Sequence, residues 1–315
     1  MRMADRTSFL WRKAAHVING VLALLLVGCG SNDNVKYRGD TISSGTIHIS
    51  VDESFKPIID SQIEVFESAF GNAHIIPHYK PEADCLRDLK YDSIRMIIVT
   101  RPLKPNEEKI MRDTLNFNPI QGKMAFDAIA VLVNNKSKDS IFDMTDLRSM
   151  VKGTSGYKYK VVMDGLSATS TVRYAMDSFA RGQPFGSNVM AAKNSLGVID
   201  YISNNTDAIG LVGVSWIGNP EDTSSTSFLK KVKIASIECM ICSPTAYVKP
   251  YQANIATRRY PLVRGLYYIL KENYQGLGSG FVNFLIYERG QLIFRRAYLW
   301  PAKMSFEVRN AGLNE

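Results

Sequence analysis

The chain has 315 residues, 45% hydrophobic and 22% charged, a composition that excludes disordered, collagen-like and coiled-coil proteins and supplies enough apolar material for a large core. Its formal net charge of +8 favours anionic partners, and four cysteines are too few for a disulfide scaffold in a chain this long. The one long apolar run, residues 14–27, is too short and too near the start to be read as a membrane span, and nothing later in the chain is expected to cross a bilayer.

Arg2, Arg6, Arg12 and Lys13 precede the apolar residues 17–27, and Leu26, Val27 and Gly28 lead into Cys29. This start resembles a bacterial lipobox. The resemblance implies cleavage after Gly28 (a signal peptide at 1–28) and lipid on the Cys29 thiol, anchoring an exported chain to the periplasmic face or the cell surface without spanning the membrane. An ordinary signal peptide with an incidental cysteine is the other reading. Loss of residues 1–28 removes four basic residues and one acidic one and leaves a net charge of +5. No basic run carries interleaved aromatics, so small anions are expected as partners rather than nucleic acid. Residues 30–44 are polar and, with Cys29, are expected to form a flexible tether.

From Thr46 onward, short β-branched runs alternate with helical periods, which predicts α/β layering over a mixed sheet. Residues 46–51 read as a first strand. Phe55, Ile58, Ile59, Phe66 and Phe70 then recur near the 3.6 period, residues 74–77 return to strand, and 95–99 form a third strand. A strand is expected over 126–133, a helix from 145 with Thr145 as N-cap, and a strand over 160–163. A Ser/Thr-rich turn leads into a helix ending near Phe179. A helix follows at 195–202, then a strand at 208–214, a polar loop at 221–227, and short strands at 231–235 and 246–248 that cross back. Three amphipathic helices are expected between Tyr260 and Tyr298.

The stretches 122–135, 145–153, 164–173, 208–216 and 260–270, in this order and spacing, resemble the type II periplasmic solute-binding proteins, most closely the phosphate-binding proteins of Pst ABC transport systems. Residues 281–301 match that family's closing helices. The resemblance implies an α/β fold of two lobes with mixed sheets and a hinged cleft between them. Lobe one would comprise 45–132 plus 246–304, lobe two 133–245, and residues 305–315 a C-terminal tail. A ligand gripped by both lobes would shift the hinge toward closure, and an ABC permease would read the closed form. The family implies phosphate or a related oxyanion as ligand, a monomer, no cofactor and no catalysis.

Residues 167–171 carry hydroxyls and free backbone N–H groups at a helix start, which either hold an oxyanion or cap the helix. Ser167, Ala168 and Thr169 match the family's Ser-Gly-Thr phosphate turn. Ser54 and Phe55 match its first ligand loop, although Phe55 also opens an apolar stripe that could belong to the core. Thr100 and Arg101 end the third strand, at the edge where open α/β sheets bind ligands, and Arg101 is either an anion clamp or a solvated charge. Two positions depart from the family: its ligand carboxylate falls at Thr100 and its ligand arginine at Met163. Arg101 or Arg173 could supply the cation, and Glu82 or Asp84 the acceptor, unless those acids only cap a short helix.

Cys239 and Cys242 form a lone CxxC, which is neither a zinc site nor a redox motif at a helix start; buried thiols, or one disulfide involving Cys85, are expected. The functional reading is therefore a lipid-anchored receptor that captures an oxyanion for an importer. The alternative is a sensory or surface-interaction lipoprotein that keeps the fold without transport. An enzyme is the weakest reading, because no nucleophile has a positioned base.

Overall fold

The computed structural model describes residues 39–303 except 157, 166 and 218–228, and from Asp40 onward these form one compact unit. The signal-peptide region, Cys29, the loop 221–227 and the tail 305–315 lie outside the described residues. The expected tether is shorter than its composition suggests. Asp40 Oδ2 accepts from the Leu277 N–H at 2.9 Å, and its Oδ1 faces Tyr274 at 3.1 Å and Arg95 at 3.4 Å, so the polar residues after Gly39 include an anchor rather than free linker.

The chain opens with β1 (Ser44–Asp52), a 3-10 turn (Glu53–Phe55) and α1 (Lys56–Ala69), which has a proline in its first turn, where a missing N–H costs nothing. Helix α1 buries Ile58, Ile59, Ile63 and Phe66; of the stripe read from the 3.6 period, Phe55 is buried just ahead of the helix, while Phe70 is its C-cap and 38% exposed. Next come β2 (Asn72–Lys80), α2 (Glu82–Asp88), β3 (Ile94–Val99), α3 (Pro105–Leu115) and the 15-residue strand β4 (Ile120–Asn134). Beyond it lie β5 (Ile141–Phe142), α4 (Met144–Lys152), β6 (Lys160–Met163) and α5 (Ser170–Ala175), which runs on as a π turn to Ala180. Then follow β7 (Val189–Ala191), α6 (Ser195–Asn204), β8 (Ala208–Gly213), a 3-10 turn (Val214–Trp216), β9 (Val232–Ile234), β10 (Ser236–Glu238) and β11 (Tyr247–Val248). The chain closes through α7 (Gln252–Ala256), β12 (Val263–Leu270), α8 (Leu277–Ile286), α9 (Glu288–Arg296) and β13 (Trp300–Pro301).

The main sheet runs β2-β1-β3-β12-β4-β8-β6-β7, with β9 and β13 also on β4. Strand β4 joins two lobes: its first half pairs antiparallel with β12, its second half antiparallel with β8 and β9. On one side β1 is parallel to β2 and β3; on the other β6 is parallel to β7 and β8. Parallel strands buried on both faces need near-continuous apolar sequence, and β8 is buried at all six positions. This topology brings the carboxyl ends of β1, β3 and β6 toward one crevice, the usual ligand position in such sheets. Among the described residues no helix is long and apolar enough to cross a membrane.

Four local expectations need correction. Residues 263–270 form a strand, not a helix: their burial alternates at first and they sit between β3 and β4, where cross-strand pairing overrides the helical reading of Leu, Tyr and Arg. Residues 247–248 are a short strand, as read, but they pair antiparallel with β10 in a separate three-stranded sheet, β11-β10-β5, rather than in the main sheet. Helix α4 is N-capped by Asp143 rather than Thr145. Cys239 and Cys242 are bonded to each other, their Cα atoms 5.4 Å apart across the turn after β10, while Cys85 is a buried free thiol.

Candidate functional site

Asp52 ends β1 and starts the 3-10 turn by accepting the Ser54 N–H on Oδ1 at 3.0 Å. The turn places Ser54, fully buried, at the head of α1. Its hydroxyl lies 3.3 Å from the Ser170 hydroxyl and 3.4 Å from Asp164 Oδ2, both in the other lobe. Phe55 is also fully buried. Its ring packs 5.1 Å below the Arg264 guanidinium, so it belongs both to the core and to the floor of the cleft.

In the second lobe the turn after β6 is shaped by local strain and hydroxyls. Ala168 has φ 72, the left-handed region that favours glycine, at the position of the glycine in the Ser-Gly-Thr turn. Thr169 is the N-cap of α5: its Oγ1 accepts the Val172 N–H at 3.2 Å and donates to Asp164 Oδ1 at 2.8 Å. Asp164 also accepts from Thr171 at 3.2 Å. Burial pushes its carboxyl above the usual range in spite of these donors and the Arg264 charge. Ser167 is exposed on the turn.

The two lobes touch along the edge of this crevice. Glu82, 2% exposed at the start of α2, accepts on Oε1 from the Thr100 N–H at 2.8 Å and the Thr100 hydroxyl at 2.6 Å. Its Oε2 accepts from Arg173 Nε of α5 at 2.6 Å, and Arg173 Nη2 donates to Thr100 Oγ1 at 2.6 Å. Burial raises the Glu82 carboxyl, but Arg173 and Thr100 together hold it below the ordinary range. The Ala83 N–H donates to the Ala168 carbonyl at 2.9 Å, and Ser195 of α6 donates to Glu53 at 3.0 Å. These contacts describe a cleft drawn shut.

Thr100, Glu82 and Arg173 therefore come together, while Arg101 and Asp84 do not join them. Arg101 holds Glu107 of α3 with two hydrogen bonds at 2.7 and 2.8 Å and reaches the Pro102 carbonyl at 3.0 Å. Asp84 pairs with Arg87 one turn along α2, at 2.8 Å. Met163 is buried.

A buried ionic group behind the crevice escaped the sequence reading. Arg264 of β12, 5% exposed, stands opposite Asp127 of β4 and donates through Nε at 2.8 Å. Its Nη1 donates to Ser170 Oγ at 2.9 Å, and its Nη2 has no partner. Asp52 Oδ2 is likewise buried and unpartnered. The available signal was an arginine within an alternating apolar run, which a strand assignment would have placed on the inner face. A cavity of about 470 Å³ between the head of β1 and α8, lined by Ile42, Phe70, Phe284 and Tyr287 with Ser43, Asn283 and Arg289 among its polar residues, lies apart from this group.

A family model described as a PBP superfamily domain matches residues 38–289. No curated protein sequence matches the chain. A candidate substrate-binding protein of a phosphate ABC transporter from Clostridium perfringens, solved with bound phosphate, superposes with a TM-score of 0.68 at 17% identity, covering 82% of this chain and 100% of that one. An ABC-type phosphate transport receptor from Vibrio cholerae gives 0.59 at 17% identity over 81% and 99%. The regulatory domain of CcmR from Synechocystis, in complex with 2-PG, gives 0.52 at 10% identity over 77% and 96%. Likenesses at these identities speak for the fold and leave the ligand to the residues.

Proposed function

The chain belongs to the PBP superfamily, and on that premise we propose that it is a lipid-anchored solute-binding protein whose interlobe cleft captures phosphate, or a related tetrahedral oxyanion, for an ABC importer. The observation that carries the reading is the junction of Glu82, Thr100 and Arg173, which supplies a carboxylate and a guanidinium from opposite lobes at one edge of the crevice. These are the two groups that the departures at Thr100 and Met163 leave wanting. Beside them, Ser54 and Thr169 head α1 and α5, where first-turn N–H groups and the helix dipole favour an anion.

Opening would separate Arg173 from Glu82 and free both for a ligand. An oxyanion entering between them would take donors from Arg173 and the α5 turn and, where it carries a proton, give one to Glu82. Closure would then restore the interlobe contacts around it, so the ligand stabilises the closed form in which both lobes touch it. Lipid on Cys29 would keep this receptor near its permease; metabolic labelling with a fatty-acid analogue should mark the wild type and not Cys29→Ala.

The test is the thermal stability of the purified protein in phosphate, arsenate and sulfate. An anion present at 100 times its Kd should add about 2.7 kcal/mol of stability. Thr169→Val and Arg173→Gln should each lose most of that gain. A flat response to every oxyanion would remove the transport reading and leave the sensory or surface-interaction lipoprotein.

A further inference from the structure

We infer that the exposed face of α9, with the apolar rim beside it, docks the domain on a bilayer that displays anionic phospholipid headgroups; this rests on the part of the proposed function that keeps the chain beside a membrane. The face is set by how α9 is held. The Gly290 carbonyl accepts from Gln62 Nε2 of α1 at 2.8 Å, Gln291 Nε2 donates to the Met124 carbonyl of β4 at 3.1 Å, and Phe294 is fully buried. With 3.6 residues per turn, Glu288, Arg289, Leu292, Arg295 and Arg296 share the opposite side, where all five are exposed. Three arginines against one glutamate leave this nine-residue helix strongly basic. Among the described residues, Arg289 and Arg296 take part in no ion pair.

Positive charge alone does not select a bilayer, but the apolar residues between the arginines do. Tyr287, just ahead of α9, and Leu292, at its middle, are 68% and 41% exposed. Tyr287 and Arg289 also line the cavity that Ile42, Phe70 and Phe284 form beside α8, so the basic face continues into an apolar rim. A guanidinium fork holds phosphate oxygens through two N–H groups while it stays in water. A tyrosine and a leucine set among such forks reach the boundary between headgroups and acyl chains, where aromatic rings and basic side chains gather.

The place where the chain leaves the domain gives the same orientation. Asp40 is held at the head of α8, and Ile42, two residues on, lines the cavity. Gly39 lies ten residues after Cys29, a reach of at most about 35 Å when extended. That stretch sets Lys36 and Arg38 against Asp33 and is itself slightly basic. A lipid on Cys29 would hold the α8–α9 side within this distance of the headgroups, so a contact that is weak in free solution becomes intramolecular and gains effective concentration.

The experiment is co-sedimentation of the mature chain, residues 29–315 with Cys29→Ser so that no lipid is attached, with vesicles of phosphatidylcholine alone or with about a third phosphatidylglycerol. Binding to the phosphatidylglycerol vesicles should be at least about tenfold stronger than to the neutral ones and should weaken as salt shortens the Debye length. Arg289→Gln combined with Arg296→Gln should cost about fivefold in affinity per arginine. Lys136→Gln combined with Lys138→Gln removes the same charge from exposed positions between β4 and β5 and should cost less than about twofold. Leu292→Ser should weaken binding and leave its salt dependence unchanged. All five substituted positions are exposed, so each variant keeps the fold on which the comparison depends. Equal losses in the arginine and lysine pairs would overturn the inference, because net charge alone would then explain the binding. Equal affinity for the two kinds of vesicle, or binding to neither, would overturn it as well. None of these results touches the lipidation of Cys29, which fatty-acid labelling of the wild type reads separately, and failure of that label would remove the anchor while leaving vesicle binding as measured.

Discussion

Two arginine–carboxylate pairs border the same crevice and are built for different tasks. Arg173 and Glu82 meet across the lobes, and the arginine side chain remains 34% exposed, so water can replace its partner when the hinge opens. Arg264 and Asp127 stand opposite each other on adjacent strands, their side chains alone 3% and 0% exposed, and have no water to turn to. The first pair can break and re-form during a binding cycle. The second must persist, and it holds Ser170 and the Phe55 ring in place while the lobes move.

The largest effect should come from breaking the inner pair. Arg264→Met leaves Asp127 buried and uncompensated, and removal of one partner of a buried pair costs about 3–5 kcal/mol. Denaturant unfolding should show this loss. A loss below about 1 kcal/mol would mean that Asp127 takes up a proton cheaply or that water reaches it.

The inner region should also set an unusual pH dependence. A carboxyl raised from 3.8 to about 7 in the folded state means that the native protein holds a proton the unfolded chain has lost between those values. The native state then binds more protons, and stability falls as pH rises through that window. Asp127 and Asp164, raised by burial, act in the same direction. Glu82 and Asp40 act in the opposite sense: held low by their donors, they withdraw stability as pH falls below about 4.5. The melting temperature should therefore peak on the acid side of neutrality and decline toward pH 7.5, and Asp52→Asn should flatten the decline.

The outer pair should respond more weakly in stability and more strongly in function. Glu82→Gln keeps the Thr100 hydrogen bonds and removes the charge that Arg173 meets. Unfolding free energy should drop by about 1 kcal/mol. Anion affinity should drop by at least about tenfold, or 1.4 kcal/mol, and scattering without ligand should show a larger radius of gyration as the open form gains population. An unchanged radius together with unchanged affinity would place the junction outside the binding cycle.

The contrast between the pairs also explains what the sequence made legible. The alternation of β-branched runs with 3.6-period stripes was enough for the βαβ units of both lobes, and Thr169 could be placed at a helix start from residue type alone. The outer pair was partly legible: Glu82 and Arg173 were named as substitutes for missing groups, but so were Asp84 and Arg101, because only the fold decides which acid and which base face each other. The inner pair was not legible. Asp127 and Arg264 are 137 residues apart and meet only through the β4–β12 register, which a helical reading of the stretch after Tyr260 does not contain. Charged residues buried against one another in a strand contradict the apolar-inside pattern on which sequence reasoning depends.

The smallest effect is reserved for the arginine that the strand end made most conspicuous. Arg101 follows Thr100 at the carboxyl edge of β3, yet it grips Glu107 and the Pro102 carbonyl at the head of α3. Glu107 also accepts the Lys104 N–H at 2.7 Å, so the pair acts as a cap extension for that helix. Removing a partly exposed ion pair of this kind costs about 0.2–1 kcal/mol. Arg101→Ala should lower the melting temperature slightly and leave phosphate affinity within about twofold of wild type, because Glu82 already has Arg173 as its cation. A tenfold loss of affinity in Arg101→Ala would show instead that Arg101 leaves Glu107 for the ligand on opening, and that three arginines rather than two serve the cleft.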